Sequence, residues 1–337
     1  MVDQQALKAL FEGKDILVTG GCGSIGSEIV RQLVNFNPTR IRVFDNNEEG
    51  HWKLSQEITS PVLRNLVGDV RDAERLMRAM EGVDFVFHAA ALKHVPICEY
   101  NPYEAVYTNV LGTKNVVDAA ANRGVKKFIG ISTDKAVNPV NTMGATKLLG
   151  ERIVVNPTVG FIDSKFSCVR FGNVLGSGGS VIPLFKNQIA KGGPVTLTTH
   201  EMTRFFMTIS QAVKLVLKAA LNMNGQEVFV LKMDLVKISD LAEVMIDILA
   251  PKYGFNPKDI QISYIGKRPG EKIHEFLFSE EEASAIIEEE DMFVIRNSPF
   301  DPGRIHHENH EKIIESGKGT LITKDKIKEL LEKNNLL

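Results

Sequence analysis

The stretch Asp15-Ile16-Leu17-Val18-Thr19-Gly20-Gly21-Cys22-Gly23-Ser24-Ile25-Gly26 decides how the rest of the chain is read. Five residues suited to a buried strand run into a glycine-rich turn, and Ile25, Ile29, Val30 and Leu33 behind it share one helical stripe. The turn holds both a GxGxxG (Gly21, Gly23, Gly26) and a TGxxGxxG (Thr19, Gly20, Gly23, Gly26). Glycines let the backbone turn tightly and approach a pyrophosphate, to which the helix start offers free N–H groups. Alone the pattern is weak; between a strand and a helix it predicts a dinucleotide site.

Upstream, Leu7, Leu10 and Phe11 recur at helical spacing, and Gly13 ends a short amphipathic helix. Downstream, a strand Ile41–Phe44 leads to Asp45, about 20 residues past the glycines, where a carboxylate can accept both hydroxyls of an adenosine ribose. Asn46, Asn47, Glu48 and Glu49 follow with no adjacent Arg or Lys to neutralise a 2′-phosphate, so charge favours NAD. Lys53 or Arg42 could fold over the site, which keeps NADP open. A third strand is expected over Leu66–Val70, its Asp69 able to meet the adenine amine. A fourth is expected over Phe85–Ala91, where Ala89, Ala90 and Ala91 permit close approach of the cofactor. His88 reads as a packed strand residue. A helix pattern from Tyr103 to Asn122 contains Asn109, and strand five is Lys127–Thr133. Strands alternating with helices predict an α/β, doubly wound parallel sheet.

From strand five the chain breaks into Ser132-Thr133-Asp134-Lys135, passes Pro139, and opens a helix at Met143-Gly144-Ala145-Thr146-Lys147. An Asp-Lys pair is ordinarily a solvated turn. Here acid and amine stand where a strand leaves the sheet, the edge at which open α/β sheets bind ligands.

Composition narrows the class. The chain has 337 residues, two domains' worth or one large domain with an insertion, with 24% charged and 43% hydrophobic residues. A net charge of -2 gives no electrostatic ground for nucleic acid or an anionic membrane as partner. Cys22, Cys98 and Cys168 lack metal-like spacing and cannot all pair, which suits a reducing compartment. The first residues lack the layout of a signal peptide, and no apolar run approaches the roughly 18 residues of a membrane span. A soluble, cytoplasmic protein is expected.

TGxxGxxG, the strand-end alanines, Asn109, and Ser132 followed by a Gly-Ala-Thr-Lys helix start resemble the extended short-chain dehydrogenase/reductases. More narrowly, the runs Ala91–Pro96, Ser132–Ala136, Arg170–Ser177, Gly179–Phe185, Glu201–Thr208 and Arg268–Lys272 are similar to the UDP-N-acetylglucosamine 4,6-dehydratases of polysaccharide biosynthesis. The resemblance spans about residues 13–280; the stretch beyond matches little. One position departs: the fold family normally has Tyr four residues before the helical Lys, and Met143 stands here. A thioether cannot exchange a proton, but a subset of these dehydratases carries Met there and keeps the Asp-Lys pair.

The resemblance implies a Rossmann-type sheet (1–172 plus about 205–254) with a smaller, discontinuous C-terminal nucleotide-sugar domain (about 173–204 plus 255–337). It implies a tightly bound, recycled NAD or NADP against Gly20, Gly23, Ser24, Ile25, Gly26, Asp45, Asp69, Val70, Ala89, Ala90, Ala91, Asn109 and Lys147. The cofactor takes hydride from C4 of the sugar, the C5 proton is removed, water leaves from C6 and hydride returns to C6. By resemblance Lys135 is the C5 base, Asp134 the C6 acid, and Thr133 and Lys147 attend the C4 oxygen. With Met143 in place of Tyr, a water held by Thr133 and Lys147 is expected to relay the C4 hydroxyl proton. Burial moves the pKa values of Asp134 and Lys135 the required way while adjacency opposes it, so the loop is expected to splay them.

Substrate contacts are implied for Lys93, His94, Thr133, Asn173, Val181, Thr196, Met202, Arg204, Arg268 and Glu271, with Arg204 as a phosphate fork and Glu271 on the uridine ribose. The family usually has Arg where Gly178 stands, so one contact is expected to be missing. A strand and loop are expected over Thr196–Arg204, helices over Gln211–Leu221 and, capped by Ser239, to Leu249, and a solvated acidic run over Glu288–Asp291. His306, His307 and His310 lack a metal-site framework. The implied reaction is dehydration of UDP-N-acetylglucosamine by a homo-oligomer (dimer or hexamer), Met143 leaning towards retention at C5. A 4-epimerase or reductase of this fold, or a non-catalytic NAD(P)-binding sensor, are the alternatives.

Overall fold

The computed structural model describes residues 3–157, 163–296 and 315–337. Its strands are β1 (Asp15–Thr19), β2 (Arg40–Asp45), β3 (Leu63–Val67), β4 (Phe85–His88), β5 (Lys127–Thr133), β6 (Lys165–Phe171) and β7 (Asn173–Leu175). They continue with β8 (Val195–Leu197), β9 (Thr203–Thr208), β10 (Glu227–Leu231), β11 (Asp234–Lys237), β12 (Ile262–Tyr264), β13 (Ile286–Glu288) and β14 (Met292–Arg296). One nine-stranded sheet runs β13-β14-β10-β6-β5-β4-β1-β2-β3. It is parallel from β3 to β10 and antiparallel at β14 and β13.

β4 and β10 are buried at every position, as expected of strands covered on both faces. Helices Gln4–Phe11, Ser24–Val34 and Ile209–Asn222 cover one face, and Ala73–Ala79, Thr113–Asn122 and Thr142–Val155 the other. The strand order reverses at β1, whose neighbours are β2 and β4. The crevice beyond the C-terminal ends of such strands is where this architecture binds ligands. The smaller half has the three-stranded sheet β11-β9-β7 and the β12-β8 pair around a third apolar cluster, closed by helices Val181–Ile189, Ile238–Lys252 and Lys324–Lys333.

Several expectations need correction. β3 lies at 63–67 because Val67 pairs with Asp45, the last residue of β2; Gly68, Asp69 and Val70 have no strand left to pair with. β4 stops at His88, level with Thr19 at the end of β1, although β5 on its other side runs on to Thr133, so Ala89–Ala91 form a loop. The helix expected from Tyr103 starts at Pro102 and passes through a π-helical turn, Tyr107–Gly112, that contains Asn109. Arg204 lies within β9, not in a loop. Ser239 sits one residue inside its helix, capped instead from Lys237. Two members of the acidic run are paired, Lys232 Nζ reaching Glu288 at 2.7 Å and Lys218 Nζ reaching Asp291 at 2.7 Å, while Glu288 and Glu290 are exposed as expected. Residues 286–296, expected with the smaller half, extend the large sheet.

Candidate active site

The glycine loop is shaped by contacts that only glycine permits. Gly20 has φ +65°, and a Cβ there would lie 2.5 Å from the Ala90 nitrogen, so the loops after β1 and β4 touch. A Cβ on Gly26 would collide with the Gly20 carbonyl. Gly23 caps helix Ser24–Val34 without a side chain, leaving the first amides directed at the crevice. Asp45 braces the loop, Oδ2 accepting from Cys22 N at 3.0 Å and Oδ1 from Asn47 N at 3.0 Å. Asp69 accepts from Arg71 Nη2 at 2.6 Å and Asn46 Nδ2 at 3.3 Å, and the Arg71 hydrogen bonds hold its carboxyl below the usual range. Arg71, unanticipated from sequence, brings a guanidinium to the rim meant for the adenosine end.

Asn109, expected on the cofactor, is spent on the protein. Its Oδ1 accepts from Leu92 N at 2.8 Å, and its Nδ2 donates to Leu92 O at 2.9 Å and Thr146 Oγ1 at 3.0 Å. It pins the loop after β4 to helix Thr142–Val155. Val70 is buried against Gly112. His88 lies between Thr19 Oγ1 at 2.7 Å and Thr113 Oγ1 at 2.9 Å, and burial, then the charge of Lys147, push its pKa down to about 3. It is a neutral packing residue, as expected.

At the end of β5, Thr133 Oγ1 donates to Asp134 Oδ1 at 3.0 Å and accepts from Lys135 N, fixing the turn Asp134–Ala136. Asp134 is fully buried, and its Oδ2 has no hydrogen-bond partner among the described residues. Lys135 Nζ lies 2.9 Å from Asp134 Oδ1, 3.3 Å from Asn173 Oδ1 and 3.7 Å from Glu275 Oε1. The expected splaying of the pair is therefore absent: acid and amine share an ion pair. Burial lowers the Lys135 pKa, but the charges of Asp134 and Glu275 outweigh it, so the amine ends above its ordinary value. Lys147 Nζ donates to Ile131 O at 2.6 Å, with burial lowering its pKa. Met143 is buried beside Cys98 and Ala105.

Across the crevice a cavity of about 480 Å³ is lined by Asn173, Val181, Thr196, Met202, Arg204, Arg268 and Glu271, seven of the expected substrate residues. Glu271 Oε2 accepts from Thr198 Oγ1 at 3.2 Å and Arg268 N at 3.3 Å. Arg204 is not the free fork expected. Its Nη1 donates to Thr203 O at 2.7 Å and Ile273 O at 2.8 Å, and its Nη2 to Lys272 O at 2.7 Å. Lys93 and His94 do not line the cavity but hold the loop after β7: Lys93 Nζ donates to Gly178 O at 2.9 Å, and the His94 ring packs on Gly179. Gly178 N in turn donates to Ser24 Oγ at 3.2 Å, joining this loop to the glycine loop. A larger cavity, about 670 Å³, opens between Ala136–Pro139 and Glu280–Glu282 and contains none of the expected site residues. His306, His307 and His310 lie outside the described residues.

Besides Arg71, sequence reasoning missed Glu275, three residues past the run Arg268–Lys272, and gave Lys272 no role; only the fold brings Glu275 beside Lys135 at 3.7 Å and Lys272 beside Glu275 at 3.8 Å.

The sequence profile of the family described as "Polysaccharide biosynthesis protein" matches residues 16–297. An uncharacterized membrane protein of Methanocaldococcus jannaschii is 55% identical over 99% of both chains. A UDP-N-acetylglucosamine 4,6-dehydratase (inverting) of Campylobacter jejuni is 43% identical over 86% of this chain and 84% of its own. A UDP-glucose 4-epimerase of Rickettsia rickettsii is 43% identical over 81% of this chain and 80% of its own. Among solved structures, Pen from Bacillus thuringiensis superposes with a TM-score of 0.89 at 41% identity, over 96% of this chain and 98% of that one. No helix among the described residues is long and apolar enough to cross a membrane.

Proposed function

Since the chain belongs to the polysaccharide biosynthesis protein family, whose profile covers residues 16–297, we propose that it is a UDP-N-acetylglucosamine 4,6-dehydratase. The observation carrying this reading is the buried Asp134 ion-paired with the partly exposed Lys135, whose Nζ reaches Asn173 at the wall of the 480 Å³ cavity. A buried acid next to an amine is what an elimination across C5–C6 requires, and neither a 4-epimerase nor a reductase needs it. The epimerase reading has the Rickettsia relative in its favour. Against it stands Met143, buried and without an exchangeable proton where such enzymes use Tyr.

The glycine loop fits a nicotinamide dinucleotide: Gly20 and Gly26 leave no room for side chains, Gly23 leaves helix amides free, and Asp45 stands at the ribose position. When bound, that group would accept a hydrogen from C4 of the hexose and return it to C6. The chain's residues do the rest. Thr133 and Lys147 hold a water that accepts the C4 hydroxyl proton, Lys135 takes the C5 proton, and Asp134 supplies the proton with which the C6 hydroxyl departs. One amine serving C5 in both directions returns its proton to the same face, which gives retention. Asp45 without an adjacent cation favours NAD, since Arg42 donates instead to Ala79 O at 2.6 Å and Lys53 pairs with Glu49 at 2.6 Å.

Residues 1–172 and about 205–254, with strands 286–296, serve the dinucleotide; about 173–204 and most of 255–337 serve the sugar nucleotide. Tyr100, Tyr103, Tyr107 and Leu111 are exposed together with Leu149 of the neighbouring helix, and this face supports the reading of a homo-oligomer, dimer or hexamer. Incubation with UDP-N-acetylglucosamine in deuterated water, followed by NMR, tests the function. A 4-keto-6-deoxy product with deuterium at C5 is expected. Unchanged substrate or its 4-epimer would overturn the reading.

A further inference from the structure

Glu275 belongs to no expected site, yet it is only 3% exposed. Its backbone is held twice by Ser316, whose Oγ accepts from Glu275 N at 2.9 Å and whose N donates to Glu275 O at 2.8 Å. The carboxylate faces cations without hydrogen-bonding to them. Oε1 lies 3.7 Å from Lys135 Nζ and 3.9 Å from Arg204 Nε, and Oε2 lies 3.8 Å from Lys272 Nζ. Among the described residues Oε2 has no hydrogen-bond partner. Burying a carboxylate this way is costly, and a purely structural ion pair would close to bonding distance.

The ion pair between Asp134 and Lys135 poses a problem that Glu275 answers. Asp134 must carry a proton to the leaving hydroxyl, but as counter-ion of Lys135 it is kept ionised. We propose that Glu275 is a positioning residue that takes over as counter-ion of Lys135 while Asp134 holds the proton destined for the C6 oxygen. The inference rests on the dehydratase reading.

The step balances as follows. Lys135 passes its proton across 2.9 Å to Asp134 Oδ1 and takes the proton from C5 of the 4-keto sugar. The C5–H electron pair becomes the C5–C6 π bond as the C6–O bond breaks, and the Asp134 proton leaves in the water molecule. Lys135 ends as ammonium and Asp134 as carboxylate, as they began. Between the two transfers Asp134 is neutral, and Glu275 is then the carboxylate facing the ammonium. A second anion also favours the proton on Asp134, as like charges sharing one site do. Every charged group facing this amine enters the balance: Asp134, Glu275 and Arg204 on Lys135, with Lys272 also facing Glu275. Burial holds the Glu275 carboxyl above its ordinary range, and the Lys135 charge opposes that rise, so ionised Glu275 and charged Lys135 favour one another.

Glu275→Gln keeps the shape and removes the charge. Its kcat should fall about 10- to 100-fold with KM nearly unchanged, because general acid catalysis is impaired and binding is not. The alkaline limb of the kcat profile, where the pair loses its shared proton, should move down by about one pH unit or more. Glu275→Asp, with the charge kept but withdrawn, should show smaller changes of the same sign. A fall in kcat with the limb unmoved would mark Glu275 as structural and overturn the proposal. Independently of turnover, 13C NMR of lysine ε-carbons, with Lys135→Arg identifying the resonance, should show Lys135 titrating lower in Glu275→Gln. An unchanged titration also overturns the proposal. Failure of the wild type to form a 4-keto-6-deoxy product would instead remove the dehydratase reading, leaving the titration to judge the contact itself.

Discussion

The glycine loop and the Asp134–Lys135 cluster face one crevice but are built in opposite ways. The loop comes from one short stretch, and its shape is dictated by what the backbone of Gly20 and Gly26 must touch within that stretch and at Ala90. The cluster gathers residues from β5, β7, β9 and the segment 272–275, and its chemistry depends on charges more than a hundred residues apart in sequence. A local site can be damaged by one added methyl. A dispersed one is damaged by removing one charge, because each charge sets the state of the others.

The largest effect is expected in the dispersed site. Asp134→Asn should cut product formation by about 10³- to 10⁴-fold, since a carboxamide cannot supply the leaving-group proton. Its denaturation midpoint should change little, Lys135 retaining Glu275 as partner. Steady-state product assay beside urea unfolding checks both; comparable losses in each would dissolve the contrast between the regions.

Next comes the local site. Gly26→Ala places a methyl against the Gly20 carbonyl and should weaken dinucleotide binding by roughly 2–3 kcal/mol, the cost of forcing a backbone apart. Calorimetric titration measures it. Normal affinity would mean that the loop is not the cofactor site.

His88, beneath the crevice, separates packing from function. Burial, then Lys147, put its folded pKa at about 3 against a value of 6.5 when free. The depressed folded value means that stability is whole above about pH 6.5 and is lost as pH falls towards 3, the unfolded chain taking the proton first. Between pH 6.5 and 5 this contributes a loss of up to about 2 kcal/mol, at roughly 1.4 kcal/mol per unit. His88→Asn should be less stable at pH 7 yet lose this slope, which denaturant midpoints at several pH values will show.

The smallest effect is expected at the far end of the chain. A Cβ on Gly176 would lie 2.6 Å from Leu336 Cδ2, so Leu336 packs directly on the loop after β7. Leu336→Ala should raise KM for the sugar nucleotide about two- to fivefold and leave kcat alone, in keeping with loss of under about 1 kcal/mol of contact. An altered kcat would place Leu336 closer to the chemistry than this packing allows.

The same contrast explains what could be read in advance. β5 and β10 are legible to the residue because each is a compact apolar run bounded by polar residues. β3 ends before its local pattern does because an edge strand stops where its one partner stops, and Asp45 is a partner no local pattern names. Seven residues expected to meet substrate line one cavity, because the runs that resemble one family place them on elements that the fold brings together. In sequence Arg204 reads as a phosphate fork because an arginine's partners cannot be read from its neighbours, and in the fold they include the carbonyls of Lys272 and Ile273. Glu275 was missed for a related reason: its burial beside Lys135 exists only once the segment following Arg268 folds back on β9.

The central claim is that a hydrogen leaves C4 of the hexose and returns to C6 of the same molecule while Asp134 and Lys135 remove water. Supplying UDP-N-acetylglucosamine deuterated at C4 and analysing the product by mass spectrometry and NMR tests it most directly. The account predicts deuterium in the new C6 methyl group. Deuterium lost to solvent, or still at C4, would contradict it.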